Sequence, residues 1–390
     1  MTMLSFILAA VIIWRGVVPL KLHYGWRIAI GVVTALIAFK FKLAHWLGGP
    51  NYFAPELHPG FLLAGSALFS ILLLFFALLT CFEIGYAFVF LYLKIRKIQY
   101  DKAKMRLWCN RIHGGLLALA VVLAAIGSYC AMKMPTIKQH DVTIANLPEK
   151  AENLRIVFLT DIHADNITRA NKIRKLVNAV NDLKPDLILL GGDYVDGRRS
   201  NIGKELLPIK DLHAKYGVYG VVGNHEYYSG FEQWVPYLKE LNINLLLNEN
   251  KIIEPGICIA GLTDHTAKRF PDLEMPSLEK ALKNVPENIP VILINHRPSA
   301  AAYKAAEKGV ALQLSGHTHG GMLWGLNLLV KMFNSGFVSG WYNVEKMQLY
   351  VSNGTGIWNG FPVRIGCPAE ITVLTLKNSR GNFKRPAKFD

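Results

Sequence analysis

The chain has 390 residues, 52% of them apolar, with a mean hydropathy of +0.25 and a formal charge of +15 at neutral pH. That apolar content excludes a disordered chain and exceeds what a soluble enzyme usually carries. The charge does not mark a nucleic-acid binder, because residues 1 to 133 hold thirteen Lys or Arg against three acids and leave a surplus of only five on the remainder.

The apolar excess lies at the front. A first stretch, Met3 to Trp14 extending toward Leu20, is interrupted by Arg15. Ile28 to Phe39 with its flanks, Phe61 to Leu93, and Leu116 to Met132 follow without such a break. A membrane span needs about 20 mostly apolar residues, so residues 1 to 133 read as a membrane anchor of about four transmembrane helices. The first stretch has neither a charged segment before it nor a small-residue cleavage site after it, and is read as a retained segment, not a signal sequence. Basic residues cluster at Arg15, Lys21 and Arg27, and again from Lys94 through Lys104 to Arg111, whereas the intervening loop holds only Lys40 and Lys42. By the positive-inside rule both rich clusters are cytoplasmic, and the last span then leads outward. The catalytic part is therefore expected on the outer face of a cell membrane. A break within Phe61 to Leu93 would reverse that reading.

Composition changes abruptly past Lys133. Residues 134 to 152 read as a polar linker that includes a first strand, Asp141 to Ala145. Residues 153 to 377 then alternate short β-branched runs with helical segments. Strands are expected at Ile156 to Thr160, Leu187 to Leu190, Val218 to Val222, Ile257 to Leu262, Val291 to Ile294, Ala311 to Leu314, Leu349 to Ser352 and Ile371 to Leu376. Helices are expected over Ala170 to Asn181, near Lys204 to Ala214, and over Phe231 to Leu241. Buried strands with intervening helices indicate a layered α/β sandwich. Residues 378 to 390 form a basic tail. Five cysteines show no paired framework; Cys258 and Cys367 are read as buried free thiols.

The recurring event is that a strand ends and a metal-binding side chain follows. In open α/β sheets, sites form beyond the carboxyl ends of strands. Asp161 and His163, one residue apart, can point to the same side of an extended turn. Asp193 follows Gly191 and Gly192, and its two oxygens can bridge two cations. In Gly223-Asn224-His225-Glu226 an amide oxygen is a neutral ligand and the next histidine can reach a phosphate without binding metal. His296 ends another strand, and His317 and His319 repeat the one-residue spacing among Gly316, Gly320 and Gly321. Singly, each is commonplace: a loop aspartate, a helix cap or a satisfied core histidine explains it. Together and in this order they point to a two-metal phosphoesterase, in which paired cations activate water and clamp phosphoryl oxygens. Mixed carboxylate, amide and imidazole donors suit manganese, iron or zinc.

This ordered set resembles the calcineurin-like metallophosphoesterase superfamily over roughly residues 150 to 376. Leu159-Thr160-Asp161-Ile162-His163 and Ser315 to Gly321 resemble its membrane-associated branch, typified by YkuE and the transmembrane phosphoesterases. The resemblance implies a four-layer α/β/β/α sandwich following the helical bundle. It also implies a first metal on Asp161, His163 and His319, a second on Asn224, His296 and His317, and Asp193 bridging them, with His225 stabilising or protonating the leaving group. Met322 departs from the pattern, since that branch often has glutamine there, and this bears on substrate preference.

Other residues carry weaker signals. Asp264 and His265 could line the site but are read first as loop-capping. Arg364 could meet a substrate phosphate or form a structural ion pair. The apolar stretch Met322 to Tyr342 reads as core, with an apolar lip toward the bilayer as the sharper alternative. The substrate is expected to be a phosphate mono- or diester, for which a lipid-linked phosphate is one candidate. A transporter, or a sensor with a non-catalytic phosphoesterase-like domain, is the alternative function. Against the transporter, the spans hold almost no ionisable residue besides Glu83.

Overall fold

The computed structural model describes residues 2–48 and 56–379; residues 380–390 of the basic tail lie outside them. The chain forms two units, Met1–Met132 with Asn359–Val363, and Lys133–Trp358 with Arg364–Asp390.

In the first unit, α1 (Thr2–Ile12) continues through a π-helical turn to Val17, followed by α2 (Tyr24–Ala38), α3 (Lys40–Gly48), α4 (Pro59–Ile95) and α5 (Lys102–Met132). Among the described residues α4 and α5 are long and apolar enough to cross a membrane, while α2 and α3 meet at a 68° bend and count as a third span only together. The sequence alone argues for about four. The difference is reach: the apolar helix Thr2–Val17, at about 1.5 Å per residue, falls short of a hydrocarbon core about 30 Å thick. The bend places Lys40 where its ammonium donates to Ser66 Oγ at 3.0 Å and to the Gly360 carbonyl at 2.8 Å, which draws the loop Asn359–Val363 into this unit. Glu83 is also paired. It accepts from Arg15, and His113 Nε2 lies 3.0 Å from its other oxygen. The helix α4 runs unbroken through the whole of Phe61 to Leu93.

The second unit contains β1 (Thr136–Ile144), β2 (Arg155–Leu159), α6 (Ala170–Asp182), β3 (Leu187–Leu190), α7 (Arg199–Leu206), β4 (Val218–Gly220), α8 (Asn224–Glu240) and β5 (Asn244–Leu245). It continues with β6 (Glu249–Ile253), β7 (Ile257–Gly261), α9 (Leu278–Ala281), β8 (Val291–Ile294), α10 (Ala301–Glu307), β9 (Leu312–Ser315), α11 (Leu326–Phe333), β10 (Gly340–Val344), β11 (Met347–Val351) and β12 (Glu370–Asn378). Two six-stranded sheets result, in the orders β1-β12-β2-β3-β4-β5 and β10-β11-β9-β8-β7-β6. The first strand is longer than Asp141 to Ala145 because it pairs in parallel with β12 along its whole length, Thr136 opposite Glu370 to Ile144 opposite Asn378.

Alternation along the strands sorts their side chains into layers. Ile156, Phe158, Leu187 and Leu189 of the first sheet face Ile257, Ile259, Ile292, Ile294 and Leu314 of the second. On the outer side of the first sheet, Val157, Leu159, Ile188 and Leu190 pack against Ile173 and Val177 of α6, Ile202 of α7, and Trp234 and Leu238 of α8. On the other side, Cys258, Ala260, Val291 and Leu293 pack against Ala281 of α9 and Ala302 and Ala305 of α10. This is the four-layer α/β/β/α order. Helix α8 begins at Asn224, seven residues before the start expected at Phe231, and changes direction at Gly230, where φ is +109°. All five cysteines are free thiols, and Cys258 and Cys367 are buried.

Candidate metal centre

Strands β2, β3 and β4 are mutually parallel, as are β8 and β9. Their carboxyl ends therefore deliver Asp161 and His163, Asp193, Asn224, His296, and His317 and His319 along matching edges of the two sheets. Three overlapping groups have ligand atoms within 4.8 Å of one another: Asp161, His163 and His319; His163, Asp193 and His225; and Asp193, His296 and His317. Asp193 and His163 each belong to two of them.

The contacts explain how the groups are held. His163 Nε2 lies 3.1 Å from His319 Nε2, joining an end of the first sheet to one of the second. Asp193 Oδ2 is 3.2 Å from His296 Nε2, and its Oδ1 accepts from the His225 amide at 2.8 Å. Asp161 accepts from Thr160 Oγ1 at 2.8 Å and from the His317 amide at 3.0 and 3.1 Å. The His296 ring donates from Nδ1 to the Gly191 carbonyl at 2.8 Å, which leaves Nε2 facing the centre.

Five of these residues have left-handed backbones: φ is +57° at Asp161, +49° at His163, +54° at Asp193, +69° at His317 and +50° at His319. Each such non-glycine residue costs about 1–3 kcal/mol and persists only where its surroundings enforce it. Strain repeated at five positions around one centre marks a built site. The glycines permit the approach, since a Cβ on Gly223 would lie 2.2 Å from Asp193 Oδ1.

Burial makes the electrostatics severe. Asp161 and His163 are 0% exposed and Asp193 2%. Burial raises the Asp161 pKa, against the pull of His296. For Asp193 the same burial effect is outweighed by His296 and His225, which hold its carboxyl well below the usual range. Burial alone would lower His163 and His296, but Asp196 raises the first to about 9 and Asp193 the second to about 10. Burial, with Arg297 beside His317 and with His163 beside His319, holds these two imidazoles neutral far below their ordinary range. The residues fit a pair of cations on a separate ground too: the Asn224 side-chain oxygen is buried with no hydrogen-bond partner. A buried amide oxygen is an acceptor, and a cation is a partner that would satisfy it.

Three supporting residues were not legible in the sequence as such. Asp196 Oδ1 is 3.1 Å from His163 Nδ1 and also hydrogen-bonds His225 Nδ1, setting the orientation of both rings. Glu226 accepts from the amides of Asp193 (3.0 Å), Tyr194 (2.7 Å) and Gly223 (2.7 Å), tying two strand ends together. Arg297 donates from Nε to Asp264 Oδ2 at 2.8 Å beside His296. Asp264 also caps the turn His265–Arg269 by accepting from the Thr266 amide at 2.8 Å, so its capping role holds. Arg364 is 3% exposed and forms no ion pair among the described residues. Its guanidinium donates to the carbonyls of Gly356 at 2.9 Å and Cys367 at 3.1 Å, and Nη2 lies 3.2 Å from His319 Nδ1.

The calcineurin-like phosphoesterase model matches residues 154–321. An uncharacterized metallophosphoesterase of Helicobacter pylori is 31% identical over 317 residues, covering 81% of this chain and 82% of that protein. A transmembrane protein with metallophosphoesterase domain from Danio rerio is 35% identical over 67% of this chain, which spans 62% of that protein's length. The uncharacterized metallophosphoesterase YkuE of Bacillus subtilis is 26% identical, over 68% of this chain and 95% of its own. With this relatedness added to the buried Asp and His groups and the apolar N-terminal helices, the chain belongs to the calcineurin-like metallophosphoesterases, metal-dependent phosphoric-ester hydrolases, as a membrane-associated member.

Proposed function

We propose that this protein hydrolyses phosphate mono- or diesters at a membrane surface, with Asp161, His163 and His319 holding one divalent cation, Asn224, His296 and His317 a second, and Asp193 both. The observation that carries this reading is that Asp193 lies within ligand distance of His163 in the first set and of His296 and His317 in the second, while the Asn224 side-chain oxygen is buried with no hydrogen-bond partner among the described residues. Manganese, iron or zinc suits these donors, and two such ions supply an activated water and a clamp on phosphoryl oxygens. The chain's own groups do the rest. Asp196 holds the His225 ring by Nδ1, and its Nε2 would donate to a phosphoryl oxygen or to the departing alkoxide.

Purified protein loaded with manganese is expected to hydrolyse bis-p-nitrophenyl phosphate or p-nitrophenyl phosphate. His225→Ala should lose rate by about 10²- to 10³-fold, the scale of a general acid, while its metal content by mass spectrometry stays at the parent level. Metal lost in proportion to rate would move His225 into the ligand set and refute this division of roles.

The catalytic unit is placed outside the cell membrane, on a multi-pass anchor. The unbroken α4 supports this: with α2 and α3 crossing together as one span, it puts the Arg15–Arg27 and Lys94–Arg111 clusters on the same, cytoplasmic, side. Protease added to sealed spheroplasts should cut within residues 133–358; protection until the membrane is opened would place the domain inside.

A further inference from the structure

The segment that follows the histidine motif is unlike the rest of its unit. Helix α11 has no buried side chain. Leu328 is 65% exposed, Leu329 54%, Met332 76% and Phe333 86%, and Trp324, just before the helix, is 81% exposed. The four helical residues stand at i, i+1, i+4 and i+5, so they share one face. Trp324 and Phe333 alone present about 300 Å² of aromatic surface, taking ~200 Å² per ring. Five large apolar side chains exposed within ten residues make a patch of the size that is often functional on a protein surface. The sequence reading of this stretch as core holds only past it, at Phe337 and Val338, which are buried.

The face is also coupled to the catalytic edge. A Cβ on Gly321, two residues past His319, would lie 2.4 Å from the Asn327 Cα in the first turn of α11. A Cβ on Gly366 would lie 2.8 Å from the Trp324 ring, and Gly366 is two residues from Arg364, whose Nη2 reaches His319. The helix cannot shift far without moving the backbone that carries His319.

We infer that α11 and Trp324 form an interfacial element that lies in the headgroup layer of the bilayer, so that the candidate metal centre opens to phosphate esters carried on lipids. The occupant is a lipid surface because this chain is itself membrane-associated: three residues, Lys133 to Pro135, separate α5 from β1. A tether that short spans at most about 11 Å. The composition fits as well. A short helix with an apolar face, a lysine at Lys331 and a tryptophan at its edge has the make-up of elements that settle in the interface. The inference rests on the reading above only for what the centre does with the lipid.

The test uses the full chain in vesicles of phosphatidylcholine and phosphatidylglycerol, with photoreactive benzoylphenylalanine replacing Phe333, Leu328 or, as a control, Tyr303 on α10, which is 47% exposed. Irradiation should yield lipid adducts at positions 328 and 333 at least about fivefold above position 303. Equal yields at the three positions would overturn the inference, and so would adducts of 328 and 333 to a second copy of the chain in place of lipid. Hydrolysis of bis-p-nitrophenyl phosphate is measured on the same unmodified vesicles. Its absence would strike the catalytic reading and leave the adduct result to decide the lipid surface by itself.

Discussion

Asp193→Ala is expected to lower kcat/KM by at least about 10³-fold, equivalent to about 4 kcal/mol of transition-state stabilisation, and to strip the protein of metal. Asp193 has a carboxylate oxygen within 4.8 Å of His163, a member of the first proposed set, and of His296 and His317, members of the second. Its two oxygens are used differently, Oδ1 by the His225 amide at 2.8 Å and Oδ2 by His296 at 3.2 Å. Alanine removes a negative charge from among three buried imidazoles, and no neighbour can take its place. The fold should survive, because the backbone at this position is held by Glu226 through the amides of Asp193 and Tyr194. Metal content, far-ultraviolet circular dichroism and turnover of a chromogenic ester decide the matter. A variant that keeps both metals and loses less than tenfold in rate would show that Asp193 does not bridge, and the two-cation arrangement would have to be abandoned.

Gly316→Ala is expected to damage the centre without touching a ligand. A Cβ at Gly316 would lie 2.2 Å from Thr160 Oγ1 and 2.3 Å from Asp161 Oδ2, more than 1 Å inside an ordinary contact. Neither neighbour can yield cheaply. Thr160 donates to Asp161, and Asp161 accepts from the His317 amide, so relief of the clash displaces a ligand on each sheet together. Overpacking of this kind costs about 1–3 kcal/mol of stability, and a shift of about 1 Å in a catalytic group costs about 10²-fold in rate. Urea midpoints and kcat/KM measured together would show both. Parent-like values would mean that the edges of the two sheets are less tightly apposed than their contacts imply.

Much of the site was readable because its residues obey a local rule. Each candidate ligand follows an apolar run that could only be a buried strand, and the one-residue spacing in Asp161–His163 and His317–His319 survives whatever the rest of the chain does. The supporting residues obey no such rule. Asp196 acts on His163, 33 positions earlier, and on His225, 29 positions later. Nothing near Asp196 in the chain distinguishes it from any other loop aspartate. Glu226 stood inside a motif, yet its task of binding three amides from two strand ends exists only once β3 and β4 are side by side. Arg364 invited two guesses, and both supposed an acidic or phosphate partner. In place of an acidic side chain, the folded chain gives its guanidinium the carbonyls of Gly356 and Cys367 and the ring of His319.

The helical part shows the same division. Composition alone made residues 1 to 133 apolar and gathered most of their basic residues into two stretches of chain, and those properties do not depend on packing. How many helices reach across a bilayer depended on the bend between α2 and α3, where Lys40 finds partners at Ser66 and Gly360. Likewise the apolar residues from Trp324 to Phe333 look in sequence like those at Phe337 and Val338, yet only the latter are buried.

The sequence by itself determined the chemistry, since the donor types and their places at strand ends are carried by short stretches of chain. Tertiary structure alone decided which donors share a cation site, which residues hold them in register and which apolar face stays open, because those depend on contacts between segments that meet only when the two sheets close on one another.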